Sequence, residues 1–333
     1  MAEVLLTIED LHVGYRVYGG TLKVLDGIQL VVYAGEKVGV VGETGCGKTT
    51  TMRAVLGILP RQAVIGGGRI TFKGRDVLVA GSTGVRTVRQ EGMSMIFQDP
   101  TAALNPVFTV GEQLADVVKY SQIERESQQS VTNLSAEVLR QSALPDPERI
   151  LTNYPFQLSG GMRQRVCIAM ALITARDLLI ADEPTTNLDV TIQDQVLRLI
   201  KQLVEEKGMS LVLVTHSLGV ARQMSDRIYV MYAGTIVEVA ATEKVFRNPL
   251  HPYTRGLLSC VPKLTGEGIG EGIPGRIPDY LNPPVGCRFY PRCESALPEC
   301  ENGKPELYET SEGHRVACFI YRSNGSTASH NRR

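Results

Sequence analysis

Strand-like and helix-like stretches alternate along the chain from its start to about residue 240. The run KVGVV (37–41) is apolar almost throughout and predicts a buried strand, and TTTMRAVLGIL (49–59), after a glycine loop, predicts a helix. GRITFKG (68–74) and MSMIF (93–97) read as short strands. Between about 110 and 155 the pattern turns helical and polar, as in YSQIERESQQSVTNLSAEVLRQSAL, which predicts an inserted subdomain. The alternation then resumes. DLLIAD (177–182) reads as a strand, DVTIQDQVLRLIKQLVEEKG (189–208) as a helix, SLVLVTH (210–216) as a strand and RIYVMYAGTIVEVA (227–240) as a closing hairpin. This order implies an α/β fold, with a mostly parallel sheet covered on both faces. Past about 250 the chain fills with Gly, Pro and Cys, as in IPGRIPDYLNPPVGCRFYPRCESALPEC. That composition predicts a loop-rich appendix held by something other than a hydrophobic core. The final RSNGSTASHNRR predicts disorder.

Composition narrows the class without naming it. The 333 residues suffice for about two or three units. Apolar residues at 43% and charged residues at 21% are ordinary for a globular chain. Lys+Arg and Asp+Glu both number 35, so there is no basic excess to hold a phosphate backbone and no nucleic-acid partner is expected. No apolar run nears the ~20 residues that span a bilayer. The first residues carry Glu3, Glu9 and Asp10 with no basic segment before a cleavage site, so no signal peptide is expected. In the cytosolic setting this implies, the seven cysteines suit free thiols or metal ligands better than disulfides.

The chemistry concentrates in a few short stretches. GETGCGKT (42–49) fits GxxxxGK[ST] between a predicted strand and a predicted helix, the setting in which that loop cradles phosphates. Backbone N–H groups converge on phosphate oxygens, Lys48 supplies positive charge, and the Thr49 hydroxyl suits Mg²⁺. In LLIADEP (178–184) an apolar strand delivers Asp182 to hold Mg²⁺ and Glu183 to act as base or polariser of an attacking water. VTHS (214–217) delivers His216 in the same way, toward a γ phosphate. Gln98, ending IFQDP's strand, would sense Mg²⁺ or water. A second anion site opens the helix after QLSGG (157–161). Ser159 as a plain N-cap explains the serine but not two glycines, since a second glycine early in a helix is unfavourable.

In this order the motifs resemble the ATP-binding subunits of ATP-binding-cassette (ABC) transporters. The resemblance covers residues 1–250, with an inserted helical subdomain at about 100–175. It rests on the phosphate loop 42–49, Gln98, the signature 158–162, the Asp182–Glu183 pair, NLD (187–189) and His216. It implies that Tyr15 stacks on adenine and that Gly42, Glu43, Thr44, Gly45, Cys46, Gly47, Lys48, Thr49 and Thr50 hold ATP. Mg²⁺ would sit on Thr49, Gln98 and Asp182. Ser159, Gly160, Gly161, Met162 and Asp189 of a second, head-to-tail cassette would close over the γ phosphate, making ATP the adhesive between subunits. Cys46 stands where Ser is commoner, and Met162 replaces the usual Gln of the signature.

FQDPTAALNPVFTVGEQL (97–114), YPFQLSGGMRQRV (154–166), PTTNLDVTIQDQVL (184–197) and NPLHPYTRGLLSCVP (248–262) resemble the branch that imports oligopeptides, dipeptides or nickel. That likeness implies a C-terminal extension over 251–322 and a tail over 323–333. It also implies a motor at the cytoplasmic face of the membrane, working with a second ATPase chain (favoured as a paralogue), two membrane-spanning permeases and an extracytoplasmic binding protein. Nickel or oligosaccharide import, or a non-transport cassette ATPase, are the alternative functions. Cys287, Cys293, Cys300 and Cys318 are spaced C-x5-C-x6-C-x17-C. This is looser than the usual zinc pairing. The branch resemblance favours a [4Fe–4S] cluster on them, with zinc and free thiols as alternatives and His314 given a structural role.

Overall fold

The computed structural model describes residues 3–78, 92–121, 128–186, 188–260, 272–322 and 326–327. The tail expectation for 323–333 falls almost wholly outside these residues, as does Asn187 of the NLD turn. The chain divides into two compact units. A terminal unit comprises Val4–Val32, Lys37–Leu78 and Val214–Arg333, and a central unit comprises Met1–Glu3, Tyr33–Glu36 and Val79–Leu213.

The terminal unit opens with two long strands where an alternation with helices was expected: β1 (Val4–Val17) and β2 (Gly20–Tyr33). Strand β3 (Lys37–Val41) leads through the glycine loop into helix α1 (Lys48–Val55), followed by β4 (Ala63–Phe72) and β5 (Arg75–Asp76). Strands β2, β1, β4 and β5 form one sheet in that order, with β1 antiparallel to β4. Leu6 and Ile8 are buried, and so are Leu11 and Val13 one step out of phase. A register shift between Glu9 and His12, with Asp10 at φ 46°, restores the inward parity. Read without that bulge, the period looks helical.

The central unit holds β6 (Met93–Ile96), helices α2 (Val110–Tyr120), α3 (Gln128–Gln141), α4 (Pro147–Thr152) and α5 (Gly160–Thr174), then β7 (Leu178–Asp182) and α6 (Val190–Lys207). Strands β6 and β7 pair in parallel, with Met93 opposite Leu178. The helices enclose a core of their own around Val110, Leu114, Leu139, Ile150, Leu158 and Val166. Thr109 and Glu112 form a reciprocal capping box that fixes the start of α2.

Strand β8 (Ser210–Thr215) leads back to the terminal unit, which continues with α7 (Leu218–Met224), β9 (Arg227–Tyr232), β10 (Thr235–Ala241), α8 (Thr242–Arg247) and α9 (Pro252–Ser259). Strand β9 runs parallel to β3 and antiparallel to β10. The β9–β10 hairpin does not close the sheet. A late hairpin, β11 (Tyr308–Ser311) and β12 (His314–Val316), adds β12 to the edge of β10. The extension is also less loose than its composition suggests. Phe289 sits edge-on to Tyr232 and Tyr253, with ring centroids 5.1 and 5.5 Å away, inside an apolar cluster that includes Val230, Val237 and Val245. Aromatic burial of this kind supplies a core without a staple.

Candidate functional site

In the terminal unit, β3 delivers the chain to a loop whose glycines are sterically required. A Cβ on Gly42 would lie 2.1 Å from the Met231 carbonyl oxygen, and one on Gly47 2.6 Å from a Leu25 methyl. Gly47 caps α1 in the left-handed region (φ 106°) and offers no side chain, so the first helical N–H groups stay turned toward the loop. Lys48 is only 4% exposed. Its Nζ donates to the carbonyls of Gly42 (2.7 Å) and Glu43 (3.1 Å), which holds the ammonium inside the loop and rules out a solvated lysine beside a glycine turn. Thr44 and Gly45 are exposed, and Glu43, Thr49 and Thr50 are half-buried. Cys46 is buried, and burial pushes its thiol pKa up, so it packs as a small apolar residue. The Tyr15 hydroxyl on β1 lies 3.3 Å from the Thr50 hydroxyl, joining the ring to the loop's helix. His216 is exposed on the residue after β8, and Ser217 beside it caps α7 through Val220 N–H.

In the central unit, buried Asp182 ends β7. Glu183 follows at φ 45°, a strained backbone for a residue with a Cβ and one that recurs where chemistry needs a fixed direction. Its Oε2 accepts from Gln98 Nε2 (3.2 Å) and from Thr186 Oγ1 (2.9 Å). The structure therefore brings Gln98 and Glu183 together. It also shows Thr186, which sequence reasoning did not single out. Gln193 on α6 donates to Thr185 Oγ1 (3.0 Å) and anchors the same turn.

Ser159 caps α5, its Oγ accepting from Met162 N–H at 3.3 Å. A Cβ on Gly161 would meet Ile192 at 2.9 Å, so close packing accounts for that glycine. At Gly160 the nearest atom would be 3.9 Å away, so local packing leaves this first helical glycine unexplained. Met162 packs on the helical core, and Asp189 is exposed at the N-cap of α6 with no capping bond from its side chain.

The iron–sulfur expectation is corrected. Among the described residues no group of three or more His, Cys, Asp or Glu side chains is placed to hold a metal ion. That finding removes both the [4Fe–4S] cluster and zinc from Cys287, Cys293, Cys300 and Cys318. Cys287 and Cys293 pack against the Tyr253–Phe289 cluster, and Cys318 against Leu250 and Val316. Burial raises the thiol pKa of Cys293 and Cys318 and takes that of Cys287 to about 11. The Cys300 carbonyl accepts from Cys287 N–H, a backbone role. All four cysteines are free thiols. His314 pairs with buried Glu238 at 2.8 Å, a structural contact.

Comparisons with known proteins bear directly on this geometry. The ABC transporter family model matches residues 25–186, and the model of the oligopeptide/dipeptide transporter C-terminal region matches 237–300. The dipeptide transport ATP-binding protein DppD of Bacillus subtilis is 43% identical over 96% of this chain and 95% of its own length. The oligopeptide transport ATP-binding protein OppD of Salmonella typhimurium is 42% identical over 96% of this chain and 94% of its own. Among solved structures, the ATP-binding cassette MJ0796, as a dimer bound to ADP and Pi, superposes with a TM-score of 0.64 at 25% identity. It covers 71% of this chain and 98% of that one. A P-loop cassette with a helical insertion and a buried loop lysine defines the class, that of ABC ATPases. The chain belongs to the ABC transporter ATP-binding family, in the branch that carries the oligopeptide/dipeptide C-terminal region.

Proposed function

We propose that the chain is the ATP-hydrolysing motor of an importer of dipeptides or oligopeptides. The observation that carries this reading is the presence, in one chain, of a phosphate loop around a buried lysine and the peptide-transporter C-terminal region. The motor works as a peripheral protein at the cytoplasmic face of the membrane. Among the described residues no helix is long and apolar enough to cross a bilayer, and the pore is assigned to two permease subunits. A second ATPase chain and an extracytoplasmic binding protein complete the assembly.

Gly42 to Thr50 hold the triphosphate, and Tyr15 stacks on the base. The residue types of Thr49, Gln98 and Asp182 fit Mg²⁺, a hard cation that takes oxygen ligands; they would hold it, and it would supply charge neutralisation to the triphosphate. Glu183, aimed by Gln98 and Thr186, accepts a proton from the attacking water, while His216 steadies the γ phosphate. Ser159 to Met162 and Asp189 of the second cassette close over the nucleotide, so that ATP joins the two chains and hydrolysis releases them.

Two measurements test the reading. Glu183→Gln should lower ATP turnover by about 10²–10⁴-fold while ATP binding persists, and wild-type turnover in that variant overturns the role. Cells lacking this chain should lose uptake of labelled di- and tetrapeptides and regain it with the wild-type chain but not with Glu183→Gln. Uptake that is indifferent to the chain overturns the assignment to peptide import.

A further inference from the structure

The phosphate loop is held from outside by residues distant in sequence, none of which belongs to a nucleotide-binding motif. Arg292 Nη1 reaches both carboxylate oxygens of Glu43, at 3.3 and 3.1 Å. The Tyr280 hydroxyl donates to the Gly45 carbonyl at 2.9 Å. Buried Tyr253 accepts from Glu43 N–H at 3.0 Å through its hydroxyl. The Gly234 N–H of the β9–β10 turn donates to the Cys46 carbonyl at 2.8 Å. Positions 43, 45 and 46 are thus each tied to other parts of the terminal unit, while the carbonyls of Gly42 and Glu43 are taken by Lys48.

Arg292 is built for one position. Its Nε and Nη2 donate to the carbonyls of Pro274 (2.8 Å) and Ile273 (3.0 Å), and its guanidinium lies 5.7 Å from the centre of the Tyr232 ring. The side chain is 6% exposed against 25% for Glu43. Every face of the fork is committed, so Lys could supply the charge but not the geometry.

We infer that Tyr253, Tyr280 and Arg292 clamp the phosphate loop and act as positioning residues for ATP. Two physical effects follow. A glycine-rich loop left free samples many conformations, and binding then costs the entropy of ordering it; outside ties order it beforehand. Glu43 also places a negative charge in a loop that receives a triphosphate. Arg292 neutralises that charge in a part-buried site, where an unpaired carboxylate would act strongly. The extension thereby tunes nucleotide affinity, and it does so without touching the reacting atoms.

The inference rests on the loop being the ATP site, so the experiment separates the two claims. ATP binding to the full chain is measured by titration calorimetry, and turnover is measured against ATP concentration. Lys48→Ala should abolish binding; if it does not, the loop reading fails. With that control met, Arg292→Met should weaken ATP binding and raise KM about tenfold, with a smaller change in kcat. Arg292→Lys should recover part of the loss. In a Glu43→Gln background, Arg292→Met should cost much less, because the charge it neutralises is gone. Tyr280→Phe removes a single hydroxyl and should weaken ATP about threefold. Wild-type ATP affinity in a folded Arg292→Met chain overturns the clamp. Should Arg292→Met fail to fold, wild-type affinity in Tyr280→Phe overturns it instead.

Discussion

At the scale of single residues, the Glu183 carboxylate is held by two donors, Gln98 and Thr186, on a backbone that stands at φ 45°. Such a conformation costs of order 1–3 kcal/mol and persists where the surroundings over-determine it. Thr186→Val keeps the shape of the side chain and removes one donor. Turnover should then fall about tenfold with ATP affinity unchanged, because the carboxylate keeps its place in the turn but loses its aim. A kcat equal to wild type would assign the aiming to Gln98 alone. The Asp–Glu pair at the end of an apolar strand was legible in the sequence, since a strand's end fixes where its last residues emerge. Thr186 was not legible: a threonine three positions on has no signature until the turn brings it back on Glu183.

At the scale of elements, the β9–β10 hairpin was legible and its consequence was not. Ala233 (φ 42°) and Gly234 (φ 82°) make a tight turn with both residues left-handed, the form that matches strand twist. A Cβ on Gly234 would sit 1.9 Å from the Val24 carbonyl oxygen, a backbone atom that cannot swing aside. Gly234→Ala should therefore destabilise the unit by about 2–4 kcal/mol, seen as a lower melting temperature. It should also weaken ATP binding, because the displaced turn is the donor to Cys46. The β11–β12 hairpin escaped the sequence for a different reason. Strands of four and three residues carry too little periodicity to register, and the partner of β12, β10, lies nearly eighty residues earlier. The four cysteines drew attention to the same region and suggested a metal. What assembles it is apolar contact around Phe289, to which the cysteines add as small buried side chains.

At the scale of the molecule, the motifs in their order made the cassette legible, since each one marks a strand end or helix start that geometry must honour. How the extension attaches was hidden, because it depends on a buried carboxylate that looks like any strand glutamate. Glu238 on β10 is fully buried. It accepts from the backbone N–H groups of Leu250 and His251, both at 2.9 Å, and from His314 Nε2 at 2.8 Å. One side chain thus joins the sheet, the start of α9 and the late hairpin. Burial would raise the pKa of Glu238, but these donors outweigh it and hold the carboxyl below its ordinary 4.5. His251 is buried as the neutral ring, with burial taking its pKa down to about 4 from 6.5, and its Nδ1 accepts from Tyr253 N–H. Both folded values lie below their unfolded ones, so the unfolded chain takes up protons first. The His251 contribution is whole above pH 6.5 and drains away between there and about 4, while that of Glu238 is whole above 4.5 and is lost below it. Acidification from pH 7.5 to 5 should therefore lower the melting temperature by about 3–5 °C. His251→Asn keeps an acceptor for Tyr253 N–H without titrating, and should flatten that slope even if it lowers the temperature at pH 7.5. An unaltered slope in that variant would place the acid sensitivity elsewhere in the chain.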